Sequence, residues 1–126
     1  MTAPVHLDTS FLVRALVRGG PEDTRLRAWL ADHIPVHMSA IAWTEFLCGP
    51  LTSAQLQLAT QIVGPCLAFE AAHAAQAAVL FNASGRRRGT LADCMIAAVA
   101  LGAGAPLATA NPDDFRPLEP SGLHLA

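Results

Sequence analysis

Hydrophobic positions repeat along most of the chain with a helical period. Leu26, Trp29 and Leu30 show the spacing of one helix face, and similar patterns recur before and after them. Polar residues that cap helices precede several of these stretches, with Ser39, Thr52 or Ser53, and Thr90 as candidates. The pattern predicts six helices, over residues 10–18, 21–33, 40–48, 53–63, 71–83 and 91–101.

Short apolar runs bounded by Gly, Pro or Asp lie between these helices and predict strands. The predicted strands are Val5–Leu7, Val36–Met38, Leu67–Phe69, Pro106–Thr109 and, at one edge, Leu123–Leu125. Strands that alternate with helices are typical of α/β proteins with a parallel sheet. We therefore expect one domain over residues 1–126, a three-layer sandwich whose short, mainly parallel sheet of four or five strands is flanked by helices.

Composition narrows the class of protein. Hydrophobic residues make up 52% of the 126 residues and charged residues only 14%, which excludes a disordered chain. The three cysteines have no zinc-binding spacing and lie among apolar neighbours, so we expect them to be buried and reduced, as in the cytoplasm. No signal peptide or membrane-spanning stretch is expected. The net charge of −2 excludes a general attraction to nucleic acid, so any RNA binding must be local.

Acidic residues are scarce, and four of the ten stand apart from the other six, which we expect in solvated turns and helix ends. Asp8 directly follows a strand, where ligands bind in α/β sheets, and the alternative explanation is that it caps the next helix. Glu45 lies in an apolar helix, where a carboxylate is costly unless it is paired or binds a metal. The alternative explanation is that it lies on a narrow exposed stripe beside Thr44.

The third and fourth carboxylates lie in the second half of the chain. Asp93 is the sole charge of an apolar helix, yet Thr90 and Asp93 have the spacing of a capping box. Asp114 follows a strand, in a sequence that also suits an ordinary turn opened by Asn111. Each position alone has a structural explanation, but together four separate elements each supply one carboxylate.

Four stretches of the chain resemble the acidic motifs of PIN-domain ribonucleases, and among these the VapC toxins of toxin–antitoxin systems. They are residues 7–12, 39–46, 91–100 and 107–115, which contain Asp8, Glu45, Asp93 and Asp114 in the family's order. The resemblance covers nearly the whole chain and implies the PIN-like α/β fold. It also implies that Asp8, Glu45 and Asp93 are metal ligands and catalytic residues.

In the family, an Asp or Asn opens the fourth motif and an acidic residue precedes Phe, and here these are Asn111 and Asp114. Asn111 brings no charge, so the resemblance leaves open which of the two residues completes the site. Thr9, Ser10 and Thr109 resemble the family's supporting hydroxyl residues. Oxygen ligands alone select Mg²⁺ or Mn²⁺, and a two-metal site of this kind hydrolyses phosphodiesters.

The implied function is that of a metal-dependent endoribonuclease acting on RNA, with transfer or ribosomal RNA as the expected target. The implied partners are a VapB-type antitoxin and a second copy of the chain in a homodimer, with no membrane. Arg86, Arg87 and Arg88, in the loop before the last long helix, are candidates for binding RNA phosphates, although a solvated loop explains them equally well.

Two other functions are alternatives to this interpretation. A receiver-like phosphoryl-transfer domain would use Asp8 as the acceptor, but such domains need a nearby Lys and this chain has none. A PIN-like scaffold that binds RNA or protein without cleaving it stays open, because the fourth motif carries an amide at Asn111. Metal-dependent cleavage that Asp8→Asn abolishes would separate a nuclease from a scaffold.

Overall fold

The structure is a computed structural model, and it describes residues 3–126. Seven α-helices and one 3₁₀ helix surround a small sheet of three strands in this range. The helices are α1 Thr9–Ala15, α2 Pro21–Ala31, α3 Ala40–Cys48, α4 Ser53–Val63, α5 Ala71–Ala83, α6 Leu91–Gly102, α7 Pro112–Phe115 and the 3₁₀ helix Arg116–Ser121. The strands are β1 Val5–Leu7, β2 Val36–His37 and β3 Leu107–Ala108.

The sheet is parallel, with β1 in the centre between β2 and β3. Single parallel bridges continue it at both edges, from Ser39 to Leu67 and from Leu107 to Leu125. The α/β class and the parallel sheet are thus confirmed. The expected four or five strands were too many, because the runs 67–69 and 123–125 each contribute one bridge instead of a strand.

Several predicted helix ends were wrong. The first helix ends at Ala15 instead of residue 18, and the second ends at Ala31, before His33 adopts a left-handed backbone with φ of 55°. Ser39 caps α3 and Thr52 forms a capping box with Gln55, as predicted. Thr90 does not cap α6, because its backbone has the helical angles φ −96° and ψ −3° instead of the extended angles of an N-cap residue. Its hydroxyl donates to the carbonyl of Arg87.

The core lies around the sheet and the apolar helix α6. Phe11, Phe46 and Phe115 are fully buried and bring α1, α3 and α7 onto this core. α6 packs against α5 and α3 and is buried along most of its length from Cys94 to Ala100. Burial of these apolar side chains supplies the main driving force for bringing the first turns of α1 and α6 together.

Two polar residues are buried away from the carboxylates of interest. His6, in β1, has no hydrogen-bond partner on either ring nitrogen within the described range, and burial together with nearby His37 lowers its pKa to about 4. Asp23, expected to be solvated, is buried and accepts from the backbone of Gly19 and the side chain of Arg27. The hydrogen bond from Gly19 is the main reason that its pKa is lowered.

The expectation for the cysteines was wrong for two of the three. Cys94 is buried in α6. Cys48, the last residue of α3, and Cys66, in the loop after α4, are both exposed. Apolar neighbours in the sequence therefore did not report burial here. No helix formed by residues 3–126 combines the length and the hydropathy needed to span a bilayer.

Candidate metal centre

The candidate site lies where β1 and β3 end side by side in the parallel sheet. Asp8 follows β1 directly, and Thr109 follows β3. The backbone N–H of Asp8 donates to the carbonyl of Ala108 at 2.8 Å, which fixes the two chain segments next to each other. Parallel strands present their carboxyl ends at one edge, and it is there that side chains of both strands meet.

Asp8 is buried, with 6% of its surface exposed, and is held by two hydroxyl groups. Its Oδ2 accepts from Ser10 at 2.7 Å and from Thr109 at 2.9 Å. The side chain of Asp8 does not cap α1, although the residue occupies the N-cap position. The alternative explanation of Asp8 as a helix cap is therefore wrong, and its hydrogen bonds orient the carboxylate instead.

Glu45 reaches the same place from α3. Thr9 connects the first turn of α1 to α3, because its hydroxyl lies 2.8 Å from the carbonyl of Ala42 and 3.3 Å from Oε1 of Glu45. Glu45 is exposed, as the alternative interpretation held, but it faces the other candidate carboxylates. The exposure of Glu45 is thus that of a residue on the wall of an open cleft.

Asp93 lies in the first turn of α6 and is half-buried. Burial is the main cause that raises its pKa to about 7, and the negative charges of Asp8, Asp114 and Glu45 raise it further. Asp93 lines the same cleft as these three carboxylates, which explains why their negative charges act on it. The capping-box interpretation of Thr90 and Asp93 is wrong, since Thr90 makes no side-chain cap.

The fourth motif forms the beginning of α7. Asn111 is its N-cap residue, without a side-chain cap, and Asp114 is in its first turn. The backbone N–H groups of Ala110 and Asn111 donate to the hydroxyls of Ser10 and Thr109 at 3.1 and 3.0 Å. These bonds attach the fourth motif to the residues that hold Asp8, so Thr9, Ser10 and Thr109 all occupy the positions expected of supporting residues.

All the predicted acidic residues line a single open cleft of about 280 Å³. Its lining consists of Asp8, Thr9, Ser10, Glu45, Asp93, Asn111 and Asp114. The cleft therefore brings together the residue after β1 and residues of α1, α3, α6 and the start of α7. All seven lining residues were singled out by the sequence motifs, and no arginine is among them. Thr109 was singled out as well, but it holds Asp8 without lining the cleft.

The donor set of the cleft fits a hard divalent cation. Every ligand is a carboxylate, amide or hydroxyl oxygen, and such donors are preferred by Mg²⁺ and Mn²⁺. Four carboxylates with no basic side chain in the cleft lining also create a charge that a cation would balance. Among the described residues, no three acidic, His or Cys side chains converge closely enough to hold a metal as they stand.

The basic loop lies next to the cleft instead of inside it. Arg86, Arg87 and Arg88 are exposed in the segment between α5 and α6. Arg87 and Arg88 line a neighbouring cavity together with Asp93 and Asp114, whereas Arg86 does not. Asp113 and Pro117 also line this cavity. The sequence pointed to neither, because Asp113 was expected to be solvated in a turn and Pro117 lies outside any hydrophobic period.

The family model of the PIN domain matches residues 5–118. Comparison with solved structures gives the same fold. A chain of the DNA-bound VapBC2 complex of Rickettsia felis aligns with a TM-score of 0.73 and 19% identity, covering 97% of this chain and 96% of the other.

Two further structures are similar to this chain. For DNA-bound VapBC from Salmonella typhimurium, the TM-score is 0.71 with 20% identity, over 99% of this chain and 98% of the other. FitAcB from Neisseria gonorrhoeae gives a TM-score of 0.69 with 23% identity, over 96% and 95%. No curated protein matches the chain in sequence.

Proposed function

The chain belongs to the PIN-domain family, and on that basis we propose that it is a metal-dependent endoribonuclease and the toxin of a VapBC-type toxin–antitoxin pair. The observation that carries the proposal is the single cleft lined by Asp8, Glu45, Asp93 and Asp114. These four carboxylates come from four separate elements of the chain, and a buried core keeps them together.

In this proposal, Asp8, Glu45 and Asp93 hold Mg²⁺ or Mn²⁺, with Asp114 or Asn111 completing the site. When bound, the metal offsets the charge of the phosphodiester and lowers the pKa of a water that attacks phosphorus. The hydroxyls of Ser10 and Thr109 keep Asp8 in one orientation. Thr9 places Glu45 by contacting both α3 and the carboxylate itself.

Transfer or ribosomal RNA is the proposed substrate class. The cleft is open at the surface, so a phosphodiester of a polymeric chain can enter it without first being released as a nucleotide. Because the attacking group is water, the 2′-hydroxyl of the RNA is not the nucleophile. We therefore expect products with a 5′-phosphate and a 3′-hydroxyl.

The toxin role rests on similarity to VapBC and FitAB complexes and to a complex from Klebsiella pneumoniae that is described as a toxin–antitoxin complex. In the same proposal, an antitoxin binds this chain and suppresses cleavage, and the chain forms a homodimer. Exposed apolar side chains on α1, α3 and α4, including Val13, Leu47 and Leu58, offer surface for such contacts.

The direct test is cleavage of a defined transfer RNA by the purified protein, with the new 5′ ends mapped by ligation that requires a 5′-phosphate. We expect cleavage with Mg²⁺ or Mn²⁺ and none with EDTA. Asp93→Asn should lower kcat/KM by a factor of roughly 100 or more, because it removes a metal ligand. Glu22→Gln, on α2 outside the cleft, is the matched control and should cleave normally.

The competing function is that of a scaffold that binds RNA or protein without cleaving it. It is favoured by the open arrangement of the carboxylates, of which no three converge within residues 3–126. If the unmodified protein binds RNA but leaves it intact with both metals, the scaffold is correct and the nuclease proposal is wrong.

A further inference from the structure

A second cavity, of about 310 Å³, adjoins the carboxylate cleft. Asp93 and Asp114 line both spaces, so they share a wall. The rest of the second cavity is formed by the loop before α6 and by the segment around the 3₁₀ helix. Besides the two shared residues, its lining includes Ser84, Arg87, Arg88, Thr90, Pro117 and Leu118.

The arginines of this cavity are free to take an anion. Within the described range, the two ion pairs join Arg27 to Asp23 and Arg116 to Asp113, and neither uses Arg87 or Arg88. Asp113 is thus already engaged by Arg116. Their two exposed guanidinium groups can bind a phosphate that lies next to the strongly acidic cleft.

The other walls suit a nucleobase better than a second phosphate. Cys94, Pro117 and Leu118 supply apolar surface, while Ser84 and Thr90 supply hydroxyl oxygens. Both hydroxyls already donate to backbone carbonyls, Ser84 to Phe81 and Thr90 to Arg87, so each offers a lone pair as an acceptor. An apolar wall with a few acceptors is complementary to a base with amino groups on its edge.

The volume limits what the cavity holds. Small-molecule sites in proteins measure about 300–1,000 Å³, so this cavity is at the lower end and matches one nucleotide. An RNA chain whose phosphodiester lies among the four carboxylates would carry its adjacent nucleotide past Asp93 and Asp114. Because those residues also line the second cavity, one continuous strand would occupy both spaces.

We propose that this cavity is the subsite for the nucleotide next to the cleaved phosphodiester, with its phosphate on Arg87 and Arg88 and its base against Pro117. This inference rests on the proposed RNA-cleaving function. It also divides the basic loop by role, because Arg86 does not line the cavity and is not part of the subsite.

The test compares Arg87→Asn and Arg88→Asn with Arg86→Asn as the matched control. Arg86 has a left-handed backbone, with φ of 55°, and Asn tolerates this conformation, so each variant removes one charge from the same loop without new strain. The probe is a short, fluorescein-labelled, single-stranded RNA of mixed sequence. Its binding is followed by fluorescence anisotropy in EDTA over a series of salt concentrations, and its cleavage is measured separately with Mg²⁺.

We expect Arg87→Asn and Arg88→Asn each to weaken binding roughly tenfold, the loss typical of a charge-assisted hydrogen bond. Each should also reduce the slope of log Kd against log salt by about 0.7, the value for one phosphate of a single strand. In the cleavage assay the same variants should raise KM more than they lower kcat. Arg86→Asn should change each quantity less than twofold.

The outcomes separate this inference from the function on which it rests. If RNA is bound with the expected dependence on Arg87 and Arg88 but is not cleaved, the subsite stands and the nuclease proposal is wrong. If RNA is cleaved and all three variants behave alike, the subsite is wrong and the nuclease stands. Failure of the unmodified protein to bind RNA overturns the subsite.

Discussion

Ser10 makes three hydrogen-bond contacts within the candidate site, as Thr109 does. It donates to Asp8 Oδ2 at 2.7 Å, lies 3.2 Å from the hydroxyl of Thr109 and accepts from the backbone of Ala110 at 3.1 Å. These contacts join segments about 100 positions apart in the chain. Its role is to position Asp8 and the fourth motif, since it supplies no charge of its own.

Ser10→Ala should therefore affect both stability and activity. Losing hydrogen bonds in a partly buried site costs about 1–2 kcal/mol of unfolding free energy, and it frees Asp8 to rotate. We expect kcat to fall further than the stability loss alone explains at a temperature where the variant is folded. Ser53→Ala is the control, because Ser53 is exposed and makes no side-chain hydrogen bond in the described structure. Equal kcat for both variants would contradict the positioning role.

Asp93 connects the electrostatics of the cleft to folding stability. Its pKa in the folded protein is about 7, above the ordinary value of 3.8, mainly because of burial and then because of the neighbouring carboxylates. Its contribution to stability is therefore fully present below about pH 4 and is lost as the pH rises through 7. Ionised Asp93 thus weakens the metal-free protein at neutral pH.

Measured in EDTA, Asp93→Asn should be more stable than the unmodified protein at pH 8 and should lose this advantage towards pH 4. We expect an advantage of about 1–2 kcal/mol at pH 8, since solvent screens a half-exposed carboxylate. His6, whose lowered pKa destabilises the protein as the pH falls from 6.5, is present in both proteins and cancels from the difference. Urea titrations at several pH values measure it, and a difference independent of pH would refute the explanation.

At the scale of elements, α3 is the helix whose start determines where Glu45 lies. Ser39 follows β2 and accepts from the backbone N–H of Ala42 at 3.1 Å, so the helix begins directly at the sheet. α4 begins with an equivalent cap, in which Thr52 and Gln55 bond reciprocally, but it carries no residue of the cleft. The two helices allow one cap to be tested against the other.

Ser39→Ala and Thr52→Ala should each cost about 1 kcal/mol of unfolding free energy, because each removes an N-cap hydrogen bond. Only Ser39→Ala should also reduce RNA cleavage, by roughly tenfold, since a small displacement of Glu45 disturbs the site. Chemical denaturation and cleavage kinetics on the two variants check this pair of results. A similar activity loss in Thr52→Ala would mean that general destabilisation, and not the position of Glu45, explains the effect.

The long helices could be predicted from the sequence because their apolar positions repeat over several turns. The sheet could be predicted only in outline, since β2 and β3 are two residues each and carry too little pattern to fix their ends. The 3₁₀ helix Arg116–Ser121 was missed because it contains Pro117 and Pro120 and has no apolar period. Thr90 was assigned to a cap that it does not form, because its backbone has helical instead of extended angles.

At the scale of the whole molecule, the sequence identified the four carboxylates that line the cleft but not that they meet. Positions 8, 45, 93 and 114 belong to elements that only tertiary packing brings together, and each had a local explanation. Their resemblance to ordered family motifs indicated that they belong to one site. The adjoining cavity was indicated only in part, because the sequence marked Arg87 and Arg88 as candidates for binding phosphates but nothing marked Asp113 or Pro117.

Charge is also arranged at this scale in a way that a net value of −2 conceals. Four carboxylates line one cleft, and two arginines without an intramolecular ion pair in the described structure lie at its border. An anionic polymer is repelled from the cleft alone and attracted by the border. RNA binding to this protein should thus depend on that border and, in the cleft, on a divalent cation.

The central claim is that the four-carboxylate cleft holds a divalent ion. Its most direct test is a crystal of the protein soaked in Mn²⁺, with anomalous diffraction recorded near the manganese edge. We expect an anomalous peak in the cleft with oxygens of Asp8 and Asp93 about 2.0–2.2 Å away, and no such peak in Asp93→Asn. A map of the soaked, unmodified protein with no peak in the cleft, or with manganese bound only elsewhere, would contradict it.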